Sequence, residues 1–312
     1  MSEQPRKALL LRIGVRARRV SLSLGQNVYL YLYAIPRLWL AGAIAAPFSI
    51  SRGHGTFLLL SPTSFLKLAI SSKDTIRKEY EHYLILTAAQ PRLAELLPSY
   101  RLLQGALFFA LQCECLVKIA PADALPPAVD LYRQFTTPAA VQRRLALSDC
   151  PQIQAGIRYI EAEFGNKVAR ATQQLVLNYL AHGKYEVGLA HGDFHSRNIM
   201  RDSAGGCRLI DIDCIRFQGI REFDALYFAL EQEWSASGRL WTETLGNCLT
   251  GAGDNVWKCM AAFDVAWSDG LGVAFFLDRL GQDAMHYGMR YARMHLESVL
   301  NALTRTTAEH SE

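Results

Sequence analysis

This 312-residue chain has little that would mark it as secreted or as a zinc protein. Its seven cysteines (Cys113, Cys115, Cys150, Cys207, Cys214, Cys248 and Cys259) form no C-x-x-C pair, are odd in number and match no common zinc spacing. A disulfide framework is thereby excluded as the organising device, and a reducing compartment, the cytoplasm, is expected. No secretory signal is read at the start, because arginines interrupt the early apolar residues. Excess charge of one sign is also lacking. The net charge is +4, half the residues are hydrophobic and a fifth are charged, as in an ordinary soluble globular protein. Only the first twenty residues are markedly basic, through Arg6, Lys7, Arg12, Arg16, Arg18 and Arg19. Such a cluster could touch nucleic acid or an anionic membrane, or be a solvated terminal segment. With no other basic run, nucleic acid is not expected as a partner. Peripheral membrane contact through this end stays open, with the inner face of the membrane as the corresponding location.

A long uninterrupted apolar run is missing too. Val28 to Ala46 approaches the length of a membrane span, but Pro36 and Arg37 sit in its middle. Alternating Tyr and Leu at 29–33 favour a strand, followed by a short buried helix or loop. A membrane-surface segment is the alternative.

What the chain does have is concentrated in His191-Gly192-Asp193-Phe194-His195-Ser196-Arg197-Asn198 and, after a turn on Gly205-Gly206, Leu209-Ile210-Asp211-Ile212-Asp213. Asp193 is a carboxylate on a loop, Asn198 a carboxamide five positions on, and Asp211 a second carboxylate delivered by a short apolar strand. An acid that can accept a proton, with an amide oxygen and an acid that can share a hard cation, is the set needed for metal-assisted phosphoryl transfer. Magnesium takes oxygen ligands and usually only one or two carboxylates, leaving its other positions to phosphates and water.

The pattern HGDFHSRN…LIDID resembles the catalytic loop and metal strand of the aminoglycoside phosphotransferase and choline kinase family, relatives of the protein kinases. The resemblance implies an α+β, bilobal protein-kinase-like fold with a small antiparallel-sheet N-lobe and a mainly helical C-lobe. The lobes would span 48–120 and 121–304, with an extension at 1–47 and a tail at 305–312. It also implies that Asp193 is the catalytic base, that Asn198 and Asp211 hold Mg²⁺, and that His191 braces the loop. ATP would lie in the cleft between the lobes.

The chain in order fits this frame. Phe48–Ser51, Phe57–Leu60 and Ser64–Ile70 read as strands, with a glycine turn at Gly53 and Gly55. Glycines there would let backbone amides approach phosphate oxygens. Lys67 is a lone cation in an apolar strand, a position that is ordinarily solvent-facing. By resemblance it would hold the α and β phosphates. A helix is expected from about Ser72 to Ala89, capped by Ser72 or Asp74. Its Glu79 is the candidate partner of Lys67, with Glu81 as the alternative. Leu102–Ile119 reads as two strands, and the segment ending in Glu114, Cys115 and Leu116 would supply backbone groups to adenine. Pro121–Pro127 reads as a linker between lobes. Helices are expected over 154–169 and 171–181. In Arg221-Glu222-Phe223-Asp224-Ala225-Leu226, Asp224 would brace the catalytic loop from just inside the next helix. His195 is read as structural, and Asp213 as supporting or surface. The remainder to Leu303 reads as helical, 287–303 most clearly, with Glu231, Glu233, Trp234, Asp264, Trp267, Asp269 and Asp278 as acids and aromatics of an acceptor region.

Three functions compete. The first is an ATP- and Mg²⁺-dependent kinase of a sugar, aminoglycoside or amino alcohol. The second is a kinase of lipopolysaccharide or another surface glycan, because LIDID followed by Arg216 faintly resembles the LIDFDR strand of sugar kinases acting on lipid-linked cores. The third is a non-catalytic binding protein on a kinase-like frame, against which the set Lys67, Asp193, Asn198 and Asp211 argues.

Overall fold

The computed structural model describes residues 26–45, 48–52, 56–62, 64–69, 73–104, 109–135 and 144–286. Gly53, Gly55, Ser72 and the helix expected over 287–303 lie outside the described residues. Among the described residues, those up to Ile85 together with Pro98–Leu116 form one compact unit, and Leu86–Leu97 with those from Val117 onward form a second.

The first unit begins with a continuous helix. Its first part, α1 (26–34), winds into wider π-helical turns over Tyr29–Ala34, and α2 (Ile35–Leu40) continues it in α-helical turns. The alternation at 29–33 thus does not make a strand. Leu30, Ala34 and Leu38, four residues apart, are the buried positions, and that spacing is one face of a helix. A five-stranded antiparallel sheet follows, in the order β1-β2-β3-β5-β4. Its strands are β1 (Ser49–Arg52), β2 (Thr56–Leu60), β3 (Ser64–Ala69), β4 (Arg101–Gln104) and β5 (Phe109–Glu114). Phe57, Leu59, Leu66 and Leu68 pack with Leu30, Ala34 and Leu38 in one apolar cluster. Because side chains alternate along a strand, this puts Lys67 on the opposite face from Leu66 and Leu68. Helix α3 (Lys73–Ala89) connects β3 to the short α4 (Pro91–Ala94).

In the second unit, β6 (Val117–Lys118), β8 (Ile199–Arg201) and β9 (Cys207–Leu209) form one small sheet, and β7 (Val187–Ala190) pairs with β10 (Arg216–Ile220) in another. The rest is helical: α5 (Leu125–Gln134), α6 (Pro151–Phe164), α7 (Asn166–His182), α8 (Glu222–Ser237), α9 (Trp241–Leu249), α10 (Asp254–Ala262) and α11 (Asp269–His286). Pro121–Pro127 is not an open linker, because Pro121–Asp123 is a 3-10 turn and Leu125 already starts α5. Proline is suited to a first helical turn, where its missing N–H has no partner to lose. The break between α6 and α7 falls at Gly165 rather than near Arg170. Every residue from Glu222 to Glu231 on α8 is buried, which makes this helix the centre of the unit.

Glu222 is a charged group in that core. Its Oε1 accepts the Glu186 N–H at 2.7 Å, while Oε2 is buried with no hydrogen-bond partner among the described residues. Burial pushes its carboxyl up to about 7, against the pull of backbone N–H groups and Arg221. An unfolded glutamate releases its proton near 4.5. The folded state therefore binds more protons between those values, and stability falls as pH rises through that window. The stabilisation is fully present below pH 4.5 and lost above about 7. Glu222→Gln is expected to remove this slope, worth roughly 3 kcal/mol in all. Urea midpoints at a series of pH values check it, and parallel curves for the two proteins would refute it.

Candidate active site

The site is built on a loop between β7 and β8 and on the hairpin β8–β9. The hairpin register pairs Ile199 with Leu209, Met200 with Arg208 and Arg201 with Cys207. Its turn is closed by Asp202, whose Oδ1 accepts the N–H groups of Ala204 and Gly206 at 2.9 and 2.8 Å. One step beyond the strands, the Ile210 N–H donates to the Asn198 carbonyl at 3.0 Å. Asn198 and Asp211 therefore emerge at the same end of one hairpin. Asp211 is not on the strand itself. It follows β9 in the left-handed region, with φ of 61°, a conformation that aspartate tolerates better than most side chains.

The loop is fixed from behind. Asp224, near the start of α8 and buried, accepts the His191 N–H at 2.6 Å and the Gly192 N–H at 2.9 Å. Burial raises the Asp224 carboxyl above its ordinary range, opposed by His191 and those two backbone bonds. His191 is fully buried and its Nε2 lies 3.0 Å from the Ile210 carbonyl oxygen. A carbonyl only accepts, so Nε2 carries the proton. Gly192 has φ of 77°, and a Cβ there would come under 3.0 Å from the Cys214 carbonyl. Glycine is required on both counts. Phe194 is almost wholly buried, against Tyr132, Phe228 and Phe263.

Asp193 is thereby presented with both carboxylate oxygens engaged. Arg279, on α11, donates to Oδ1 at 3.2 Å and to the Gly192 carbonyl at 2.8 Å. Asn198 donates its amide to Oδ2 at 3.2 Å and to the Asp193 carbonyl at 2.9 Å. His195 Nε2 lies 3.4 Å from Oδ2. Burial opposes the charge on Asp193, but the His195 hydrogen bond and the Arg279 guanidinium outweigh it, and the carboxyl lies well below the usual range. Arg279 is itself seated over the Tyr227 ring, 4.1 Å from its centroid. Tyr227, Arg279, Asp278 and Arg216 line a small cavity of about 10 Å³, room for about one water.

In the first unit, Lys67 donates to Glu79 Oε2 at 2.8 Å, and Tyr100 donates to Glu79 Oε1 at 3.4 Å. Glu79 is buried, whereas Glu81, two residues on, is exposed. Glu114 ends β5 opposite Ser64 and is exposed, and Leu116 is buried. Arg279 escaped the reading of the sequence. The available signal was a charged pair, Asp278-Arg279, inside the otherwise apolar stretch Gly270–Leu280.

Among the described residues, no three His, Cys, Asp or Glu side chains gather into a self-sufficient metal cage. The donor set still fits Mg²⁺. Asn198 turns its NH₂ group to Asp193, which leaves its amide oxygen for a cation. One amide oxygen and one carboxylate are what Mg²⁺ asks of a protein when phosphates and water supply the rest.

An antiparallel sheet preceding a mainly helical portion is the make-up of the protein-kinase-like fold, and solved structures of that kind match. Choline kinase LicA from Streptococcus pneumoniae aligns with a TM-score of 0.54 at 11% identity, over 89% of this chain and 98% of that one. A choline/ethanolamine kinase family protein from Mesorhizobium loti aligns with a TM-score of 0.54 at 13% identity, over 90% and 93%. The ADP-bound aminoglycoside phosphotransferase APH(2'')-Ib gives 0.50 at 14%, over 88% and 96%. The comparison with curated proteins finds no match. The phosphotransferase enzyme family model matches residues 56–263, two thirds of the chain, and the protein belongs to that family.

Proposed function

We propose that this phosphotransferase moves the γ-phosphate of ATP, with Mg²⁺, to a hydroxyl of a small molecule, and that Asp193 meets that hydroxyl. The observation that carries the reading is the Asp193 carboxylate held ionised and oriented by Arg279, Asn198 and His195 on a loop pinned by Asp224. Nucleotide use is further supported by the structural neighbours, one of which is LicA in complex with AMP.

In this reading Lys67, set by Glu79, holds the nucleotide phosphates. Asn198 and Asp211 hold Mg²⁺, which draws charge from the β and γ phosphates. Gly53 and Gly55 are assigned to the phosphates, and backbone groups at Glu114 and Leu116 to the adenine. Asp193 orients the acceptor hydroxyl. The carboxylate is kept ionised by His195 and Arg279, so it can accept the proton of that hydroxyl as the phosphoryl group transfers. Most of the catalysis then comes from positioning and charge stabilisation.

One observation favours a sugar hydroxyl of a surface glycan over a cationic acceptor. Three carboxylates on or beside the loop are paired with arginines: Asp278 with Arg216, Glu231 with Arg197 at 2.7 Å, and Asp193 with Arg279. Choline and aminoglycosides are cations, and these three carboxylates offer them no uncompensated negative charge.

A panel of neutral sugars, glycan fragments, amino alcohols and aminoglycosides, incubated with labelled ATP and magnesium, tests both statements. Magnesium-dependent transfer to the neutral sugars is expected, with no acid limb in the ordinary carboxylate range of the rate profile. Transfer to none of them, with nucleotide bound, would favour a non-catalytic role. Transfer to the amines alone would overturn the glycan assignment.

A further inference from the structure

The helix formed by α1 and α2 is apolar on both sides. Leu30, Ala34 and Leu38 face the sheet, but Val28, Tyr31, Leu32, Trp39 and Leu40 are exposed. Of the twelve large hydrophobic residues exposed among the described ones, five therefore fall within 28–40, and Leu40 (80%) and Leu32 (76%) are the two most exposed of all. Scattered single residues of this kind need no explanation, but a contiguous set does. Val28, Leu32 and Trp39 recur at spacings of four and seven, the repeat of one helix face, with Tyr31 and Leu40 beside them.

The sequence that precedes and follows this helix is one-sided in charge. From Gln4 to Lys73 the sequence contains no Asp or Glu at all, while it carries ten Lys and Arg, six of them before Val20. Arg37 is the single charge within 26–40, and its guanidinium stacks 3.7 Å from the centroid of the Tyr33 ring. Exposed Trp and Tyr beside aliphatic side chains, with cations and no anions, suit the boundary between lipid headgroups and acyl chains. Among the described residues no helix is long and apolar enough to cross a membrane, so the fitting arrangement is a helix lying on the surface.

We propose that the exposed face of α1–α2 docks on an anionic lipid bilayer. Val28, Leu32, Trp39 and Leu40 enter the headgroup boundary, and the basic residues that precede the helix in the sequence supply the charge that selects anionic lipid. The proposal does not rest on the phosphotransfer reading, and its test contains neither nucleotide nor acceptor.

The full chain is sedimented with vesicles of phosphatidylcholine alone, or of phosphatidylcholine mixed with phosphatidylglycerol. Binding to the mixed vesicles only, weakened by added salt and accompanied by a blue shift of tryptophan emission, is expected. The triple variant Leu32→Ser, Trp39→Ser, Leu40→Ser, whose altered side chains are all exposed, should keep its unfolding midpoint and lose at least about tenfold in partitioning. The variant Arg16→Glu, Arg18→Glu, Arg19→Glu should lose binding to the anionic vesicles without touching the apolar face. Three results would overturn the proposal: no binding by the wild type, equal binding to both vesicle types, or a wild-type dimer in sedimentation velocity that the serine variant converts to monomer. The last would make the face a contact between copies of this chain.

Discussion

Asp193→Asn is expected to reduce phosphoryl transfer by about a thousandfold or more while ATP still binds. The substitution keeps the size of the side chain and removes its charge. In the wild type, Oδ1 accepts from Arg279 and Oδ2 from Asn198. An asparagine offers one oxygen in place of two, so its NH₂ must face either the Arg279 guanidinium or the Asn198 amide, donor against donor. The hydroxyl-orienting acceptor is lost and the side chain is turned from its position. Of the residues assigned to the nucleotide, Lys67 and Glu79 keep the ion pair they make with each other, and Asn198 keeps its hydrogen bond to the backbone carbonyl of residue 193. The measurement is transfer from labelled ATP to the best acceptor of the panel, beside calorimetric titration with a non-hydrolysable ATP analogue. Transfer equal to that of the wild type would reject Asp193 as the group that meets the acceptor.

Gly281→Ala is expected to cost about 3 kcal/mol or more in stability. Helices α6 and α11 approach so closely that a Cβ on Gly281 would fall well under 3.0 Å from the Gln152 carbonyl, and a Cβ on Gly156 equally close to the Leu277 carbonyl. Both obstructing atoms are backbone. No rotamer change relieves the clash, and the helices have to separate along their length. Alpha-helical propensity would favour alanine by about 1 kcal/mol, so the expected sign is the reverse of what propensity alone gives. Arg158→Ala on the exposed face of α6 serves as the comparison and should stay within about 0.5 kcal/mol. A Gly281→Ala protein with an unchanged urea midpoint would show that the two helices yield there.

The parts of the fold that could be read in the sequence are those whose signals are local. The hairpin β8–β9 carries its own turn residues, and the strands β2 and β3 are short, mostly apolar runs between breakers, so their places are marked within a few residues. Lys67 stands out as a lone cation in an apolar strand, whereas Glu79 is reached only through the family resemblance, with Glu81 beside it in the same polar helix. Two kinds of feature stayed hidden. In α1–α2 the apolar residues cover nearly the whole circumference, and a run without a polar side has no period that separates helix from strand. Arg279 reaches Asp193 from a helix that begins more than seventy residues later, and nothing in the spacing of either segment encodes that meeting. Its nearest clue, an arginine in an apolar helix, does not name the loop it serves.

Gly192 against Cys214, His191 against Ile210, and Asp224 holding two consecutive amides tie residues 191–192 to everything up to the first turn of α8. These segments are one mechanical part cut into pieces by the chain. A graft that moved 189–201 into a relative, or brought a relative's loop here, would have to carry 207–224 with it, because the mould and the casting are inherited together.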